Sequence, residues 1–217
     1  VTSADFQRAR SPEQREARRR AILDAAAGLL TEIPLTDVSL RELARRVGLS
    51  KTNVVRYFET REAVFFALLN QEFDGWLTEL PDRLPESDPL AVADALARSL
   101  ATRPLLCELW SALGAELERN ISADAARAFK LAHAELQSRL AELLTVRAEA
   151  LPIDAAREFT ALLILLVAGL WPFANPSPAV AEAVRDPRLA QSRVDFTARL
   201  SRALRVTMTG LLTLGPQ

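Results

Sequence analysis

The stretch VGLSKTNVVRYFETRE, residues 47–62, decides how the chain is read. It places a glycine at position 48, then gathers Ser50, Lys51, Asn53, Arg56 and the pair Tyr57-Phe58 within a few residues. The preceding residues 39–46 (SLRELARR) open on Ser39 with Glu42 three positions on. This is the Ser-x-x-Glu capping box, in which each side chain satisfies a backbone N–H of the first helical turn. Gly48 breaks that helix and Ser50 opens another that runs through Phe58. Val47-Gly48-Leu49 therefore joins two short helices with the length and glycine placement of a helix-turn-helix.

A helical wheel at about 100° per residue shows what the second helix presents. With Val54 turned inward beside Leu43, Val47 and Leu49, Thr52 and Arg56 point outward. Asn53 and Val55 flank them, Lys51 sits at the start, and Tyr57 and Phe58 lean toward the core. Arg and Lys pair with guanine, Asn pairs with adenine, and Val or Thr methyls touch the thymine methyl. Ser39 and Ser50 sit at helix N-termini, where free N–H groups and the dipole favour phosphate. A capped helical hairpin with a merely solvated polar face has the same local pattern.

Net charge is −1, but the two ends of the chain differ in sign. Residues 1–61 hold 12 Lys/Arg against 8 Asp/Glu, and residues 62–217 hold 15 against 20. A basic amino-terminal segment on an acidic remainder fits a polyanion-binding module carried by a domain with another task. Chance clustering on a solvated surface is the plain alternative. Arg15, Arg18, Arg19 and Arg20 precede the apolar part of the first helix, where they would follow a phosphate backbone or form a solvated face.

The apolar share of 49% and the charged share of 25% are those of a soluble globular protein. Scarce glycine and abundant Ala, Leu, Arg and Glu favour helix. The pattern predicts an all-α fold of about nine helices: residues 12–32 with Ser11 as N-cap, 39–46, 50–58, 61–80, 88–102, 104–119, 122–150, 152–171 and 191–212. Residues 172–190 read as a proline-punctuated connection with room for one helical turn. The last helix carries Phe196, Leu200, Leu204 and Leu211 on one face. Residues 1–61 form the helix-turn-helix domain, the fourth helix (about 61–80) connects, and residues 62–217 form the second domain.

A single cysteine, Cys107, excludes an intrachain disulfide framework, and a single histidine, His133, excludes a histidine metal cluster. No metal or cofactor is expected. The longest apolar run, residues 161–174, is interrupted by Pro172 and falls short of the roughly 18 residues a membrane span needs. The amino terminus lacks the apolar segment of a secretory signal, so a cytoplasmic protein is expected. There the glycosylation match Asn120-Ile-Ser122 has no meaning.

The stretch LRELARRVGLSKTNVVRYFETREAVFFALL, residues 40–69, resembles the DNA-binding domain of the TetR family of bacterial transcriptional regulators. The matching features are Gly48-Leu49-Ser50 at the turn, Tyr57-Phe58 near the end of the recognition helix and Thr60-Arg61-Glu62 at the start of the fourth helix. The resemblance covers about residues 15–70. The remainder is similar to the family only in helix number, length and order.

The resemblance implies a sequence-specific DNA-binding regulator, most often a repressor. It would act as a homodimer whose recognition helices reach major grooves about 34 Å apart on a near-palindromic operator. It also implies that Arg41, Lys51, Asn53, Arg56 and Tyr57 touch DNA and that Arg61 lies at a phosphate. Position 55 is often Tyr in the family and holds the sugar-phosphate backbone. Here it is Val55, which removes that contact and leaves an apolar reader of thymine.

By the same resemblance, the helices after the fourth enclose an effector and the last two long ones, residues 153–171 and 191–212, form the dimer interface. Within residues 61–150 the candidate effector contacts are Phe66, Phe73, Trp76, Cys107, Trp110, Phe129 and His133. An aromatic stripe at helical spacing also reads as plain core. His133 interrupts the apolar row of Phe129, Leu136 and Leu140, and a buried imidazole needs hydrogen-bond partners. The abundance of apolar side chains favours a small apolar or aromatic effector. Lone Cys107, in an apolar row, reads as inert.

Two other classes meet the composition less well. A helical enzyme would need a phosphate-cradling loop, metal-ligand spacing or an acid/base dyad, and none is written in the chain. A helical protein-interaction adaptor without DNA affinity would use the apolar terminal helices alone.

Overall fold

A computed structural model describes residues 12–119 and 121–214, so the expected N-cap Ser11 and Asn120 of the glycosylation match lie outside the described residues. Among these residues the chain forms ten α-helices and no strand. They are α1 (Pro12–Leu30), α2 (Leu40–Arg46), α3 (Lys51–Val55), α4 (Arg61–Glu79), α5 (Pro89–Ala101), α6 (Pro104–Ala112), α7 (Ala123–Arg147), α8 (Ile153–Ala174), α9 (Pro178–Ala183) and α10 (Phe196–Leu214). The tenth is α9, the single short helix inside the proline-punctuated connection. No helix among the described residues is long and apolar enough to cross a membrane. The chain divides into two compact units between Leu68 and Leu69, inside α4.

In the first unit α1 packs on α2 and α2 on α3. Its core is built from Ile22, Ala26 and Leu29 of α1, Leu43 and Ala44 of α2, Val54 of α3, and Phe58, Val64 and Phe65. The turn between α2 and α3 is a Schellman motif: the Leu49 N–H donates to the Ala44 carbonyl at 2.9 Å and the Gly48 N–H to that of Arg45 at 3.3 Å. This wrap puts Gly48 at φ 66°, in the left-handed region where a side chain clashes with its own backbone. Gly48→Val is therefore expected to lower unfolding stability by about 2 kcal/mol, because a β-branched residue is least tolerant of positive φ. Urea denaturation followed by circular dichroism measures this, and a loss below about 0.5 kcal/mol would show that the turn adapts.

Two expectations about these helices are corrected. Ser39 Oγ accepts the Glu42 N–H at 3.2 Å, but both Glu42 carboxylate oxygens bond the Arg45 guanidinium, so the return arm of the capping box goes to an ion pair. The recognition helix, expected through Phe58, ends its regular course at Val55. The Tyr57 N–H tightens onto the Val54 carbonyl at 2.9 Å, while Phe58 closes on the same carbonyl at 3.0 Å and is buried. Arg19 lies over the Phe58 ring at 4.6 Å and covers it from outside.

In the second unit α8 is the central helix, packed by α6, α7 and α10, while α10 also lies along α5. A straight helix to about residue 119 was expected for α6. Instead Leu113–Leu117 form a π turn closed by the Glu118 N–H on the Leu113 carbonyl at 3.1 Å, and the wider turn buries Leu117 while Leu113 is half-exposed.

Helix α8 continues past Pro172 to Ala174, beyond the stop expected near Trp171. Trp171 anchors this last turn: its indole N–H donates to Glu108 at 2.8 Å, and its ring stands edge-on to Phe196 at 5.0 Å. Helix α10 starts at Phe196 rather than near residue 191, because residues 187–192 coil into a 3-10 turn and Asp195 caps the Ala198 N–H at 2.9 Å. Its buried stripe runs Phe196, Leu200, Leu204, Met208, with Leu211 only half-buried. The outer faces of these two helices stay apolar: Leu165 is 66% and Phe173 70% exposed on α8, and Val206 64% on α10.

Candidate nucleic-acid interface

The outward face of α3 is as the wheel placed it. Lys51, Thr52, Asn53, Val55 and Arg56 are exposed, Tyr57 is half-buried, and Val54 and Phe58 are inside. Ser50 caps this helix, its Oγ accepting the Asn53 N–H at 3.2 Å. Val55, 40% exposed, is the one large apolar side chain that the described residues of the first unit leave in solvent.

The basic side chains nearby fall into two groups. Arg45 is paired with Glu42 and Arg46 with Glu32, and these bonds hold both carboxyls below the usual carboxylate range. Arg41, Lys51 and Arg56 are exposed and enter no ion pair among the described residues. Of the amino-terminal arginines, Arg19 is committed to Phe58 and Arg20 lies 3.9 Å from Glu16. Arg15 of α1 is exposed and enters no ion pair among the described residues, so the open cations are Arg15 together with Arg41, Lys51 and Arg56 of the helix-turn-helix.

Arg61, expected at a phosphate, is turned inward instead. Its Nη1 donates to the carbonyls of Thr36 and Val38 at 3.2 Å and reaches that of Leu35 at 3.5 Å, while Nε bonds Glu62 at 3.1 Å. The guanidinium thereby ties down the 3-10 turn Leu35–Asp37 and the Val38 carbonyl that follows it, adding to the Leu35 carbonyl's bond from the Val38 N–H, and so braces the entry to α2. Ser39, Arg41, Lys51, Thr60 and Arg61 line a recess of about 430 Å³ on this face, with Thr60 capping α4 through the Ala63 N–H at 3.1 Å. Glu59 and Glu62 line it as well, Glu62 paired with Arg61, so the recess mixes hydroxyls and the two open cations Arg41 and Lys51 with carboxylates.

Residues 22–68 match the profile described as "Bacterial regulatory proteins, tetR family", and residues 70–214 match "Tetracyclin repressor-like, C-terminal domain". The chain belongs to the TetR family. Among curated relatives, the transcriptional regulator RutR of Escherichia coli strain K12 is 36% identical over 75 residues, 35% of each chain. The aligned stretch thus spans about a third of that relative's length. A TetR regulator from Rhodococcus sp. RHA1 superposes with a TM-score of 0.61 at 18% identity, over 91% of this chain and 96% of its own. FadR from Bacillus subtilis, solved in complex with stearoyl-CoA, reaches a TM-score of 0.55 at 14% identity, over 87% of this chain and 96% of its own. These structural likenesses establish the fold of a TetR protein.

Of the seven candidate effector contacts, five meet in one aromatic cluster of the second unit. Phe73 touches Trp76 at 5.9 Å, Trp110 at 5.1 Å and His133 at 5.3 Å; Trp76 meets Trp110 edge-on at 6.2 Å, and Phe129 lies 5.1 Å from His133. Phe66 belongs to the first unit. Cys107 points its thiol at the Leu100 carbonyl at 3.4 Å, and burial pushes its pKa up to about 12, so it stays a protonated thiol.

Two residues of the cluster were missed. Asn70 of α4 holds His133 Nδ1 at 2.8 Å, and Ser99 of α5 accepts the Trp76 indole N–H at 3.1 Å. A polar residue one turn before Phe73 on a largely apolar helix was the available signal for Asn70.

Proposed function

We propose that this chain is a sequence-specific DNA-binding transcriptional regulator, a ligand-responsive repressor that acts as a homodimer on a near-palindromic operator. The observation that carries the reading is the division of cations around the helix-turn-helix: Arg45, Arg46 and Arg61 are committed to the protein, while Arg41, Lys51 and Arg56 stand open beside Thr52, Asn53 and Val55. In this reading Arg56, Asn53 and Lys51 meet base edges, Val55 and Thr52 meet thymine methyls, and Arg41, Ser39, Ser50 and Tyr57 meet phosphates. Arg61 positions the entry to α2. Binding to chromosomal DNA places the protein in the bacterial cytoplasm, acting as a regulator rather than an enzyme.

Fluorescence anisotropy with duplexes from the region flanking its own gene tests this. Arg56→Ala should weaken the specific complex roughly ten- to hundredfold and leave non-specific binding nearly unchanged, as expected for loss of one base contact. No specific complex at moderate salt, or one indifferent to Arg56→Ala, would overturn the reading and favour a protein-interaction adaptor.

The dimer reading rests on the exposed apolar faces of α8 and α10, which carry Leu165, Phe173 and Val206. A charge placed at Leu165 would be desolvated by an isologous partner, since the same patch meets itself. Leu165→Glu should convert the dimer to a monomer on size-exclusion chromatography with light scattering, and operator affinity should fall with it. A small-molecule effector in the second unit is supported by the aromatic cluster, and the stearoyl-CoA complex of FadR is a precedent within the same fold.

A further inference from the structure

The aromatic cluster contains three buried indole or imidazole side chains, and they are not equally satisfied. Trp76 donates its N–H to Ser99 Oγ at 3.1 Å. Trp110 is 2% exposed, and its Nε1 has no partner among the described residues. His133 is 4% exposed: its Nδ1 faces the amide oxygen of Asn70 at 2.8 Å, while Nε2 is buried without a partner among the described residues. A proton on Nδ1, donated to Asn70, leaves Nε2 as a lone-pair acceptor. The two orphaned atoms come from α6 and α7, and both rings pack against Phe73 of α4. Buried polar groups are hydrogen-bonded as a rule, and a site that leaves a donor and an acceptor unpaired at one aromatic wall is disposed to accept a molecule that pairs them.

The surrounding charges narrow the class. Lys130, one turn from His133, is tied to Glu118, and Glu108, near Trp110 on α6, is bonded to Trp171. On α4, Asp74 is paired with Arg139, and the half-buried carboxyl of Glu72 is held above the usual carboxylate range by desolvation. Burial lowers the His133 pKa to about 4, so the ring is neutral at ordinary pH. An anionic ligand would therefore be desolvated with no free counter-charge among the described residues of the cluster.

We infer that this cluster binds an uncharged ligand, of the phenol, alcohol or amide class, whose acceptor oxygen meets the Trp110 indole N–H and whose donor meets His133 Nε2. This goes beyond the apolar or aromatic effector expected from composition. It rests on the regulator reading only in calling the ligand an effector.

Isothermal titration of the full chain with phenol, 2-naphthol, naphthalene and 2-naphthoate tests it. One of the two hydroxyl probes should bind at least tenfold more tightly than naphthalene and 2-naphthoate. Trp110→Phe and, separately, His133→Leu should each weaken that probe about tenfold, the loss of one buried hydrogen bond, and leave naphthalene unchanged. No binding by either hydroxyl probe, equal affinity for all four, preference for 2-naphthoate, or hydroxyl binding that ignores both substitutions overturns the inference. So does a crystal structure in which ordered water alone satisfies both atoms after soaking with 2-naphthol. The regulator reading is judged separately by operator binding of Arg56→Ala. A protein can thus keep this ligand preference without an operator, or bind its operator without this preference.

Discussion

Trp76→Ala is expected to lower unfolding stability by about 4 kcal/mol, the range found when a buried Phe or Trp is cut to Ala. Trp76 is 1% exposed, its ring meets both Phe73 and Trp110, and its N–H is bonded to Ser99. Truncation removes apolar area, opens a cavity at the centre of the cluster and strands the two neighbouring rings at its edge. Trp76→Phe isolates the polar part: most of the packing is retained and the N–H to Ser99 is lost, so about 1–2 kcal/mol is expected. Ser99 keeps a partner in that variant, because its hydroxyl also donates to the Leu96 carbonyl at 2.9 Å. Urea denaturation followed at 222 nm gives both numbers. A loss below about 1 kcal/mol for Trp76→Ala would mean that the cluster is loosely packed and that Trp76 is free to line a cavity.

The features that were legible in the chain are those set by neighbours in sequence. Ser39 and Ser50 cap helices because a short hydroxyl side chain reaches an N–H three residues on, and Gly48 ends α2 because the wrap demands positive φ. The exposed face of α3 followed from the helical period once Val54 was placed inside. The helices themselves were legible from apolar spacing and prolines, and their misplaced ends have tertiary causes. Pro172 should have ended α8, but the anchoring of Trp171 by Glu108 and Phe196 carries the helix one turn further.

What could not be read is pairing between distant residues. Arg61 has the residue type and position of a phosphate contact, yet its partners are backbone carbonyls some 25 residues earlier, which no side-chain pattern announces. Glu42 was expected to complete a capping box and is drawn off by Arg45, a choice between two local partners that the stronger charge–charge bond decides. His133 was visible as an anomaly in an apolar row, but its partner Asn70 lies 63 residues away.

That pairing makes stability depend on pH in a predictable direction. In the unfolded chain an imidazole takes up its proton near pH 6.5, whereas in the folded chain burial delays this to about pH 4, with the charge of Lys130 as a lesser cause. Between those values the unfolded state binds the extra proton, so stability falls as pH falls through this window and is fully retained above it. A difference of this size corresponds to about 3 kcal/mol at its acid limit.

Other groups titrate nearby. Asp94 and Glu79, held low by hydrogen bonds to Ser201 and Arg103, also destabilise the fold on acidification, while Glu72, held high by desolvation, acts in the opposite sense. Comparison with His133→Leu therefore isolates the imidazole. The variant should lose less stability than the parent between pH 6.5 and 4, by about 2–3 kcal/mol, because it has no proton to gain. Parallel pH dependences in the two proteins would mean that His133 is solvated in the folded state and that its Nε2 is not an orphaned acceptor. A loss smaller by that amount in the variant would instead confirm a neutral imidazole held in a dry aromatic wall, the condition under which that nitrogen can accept a hydrogen bond from a bound ligand.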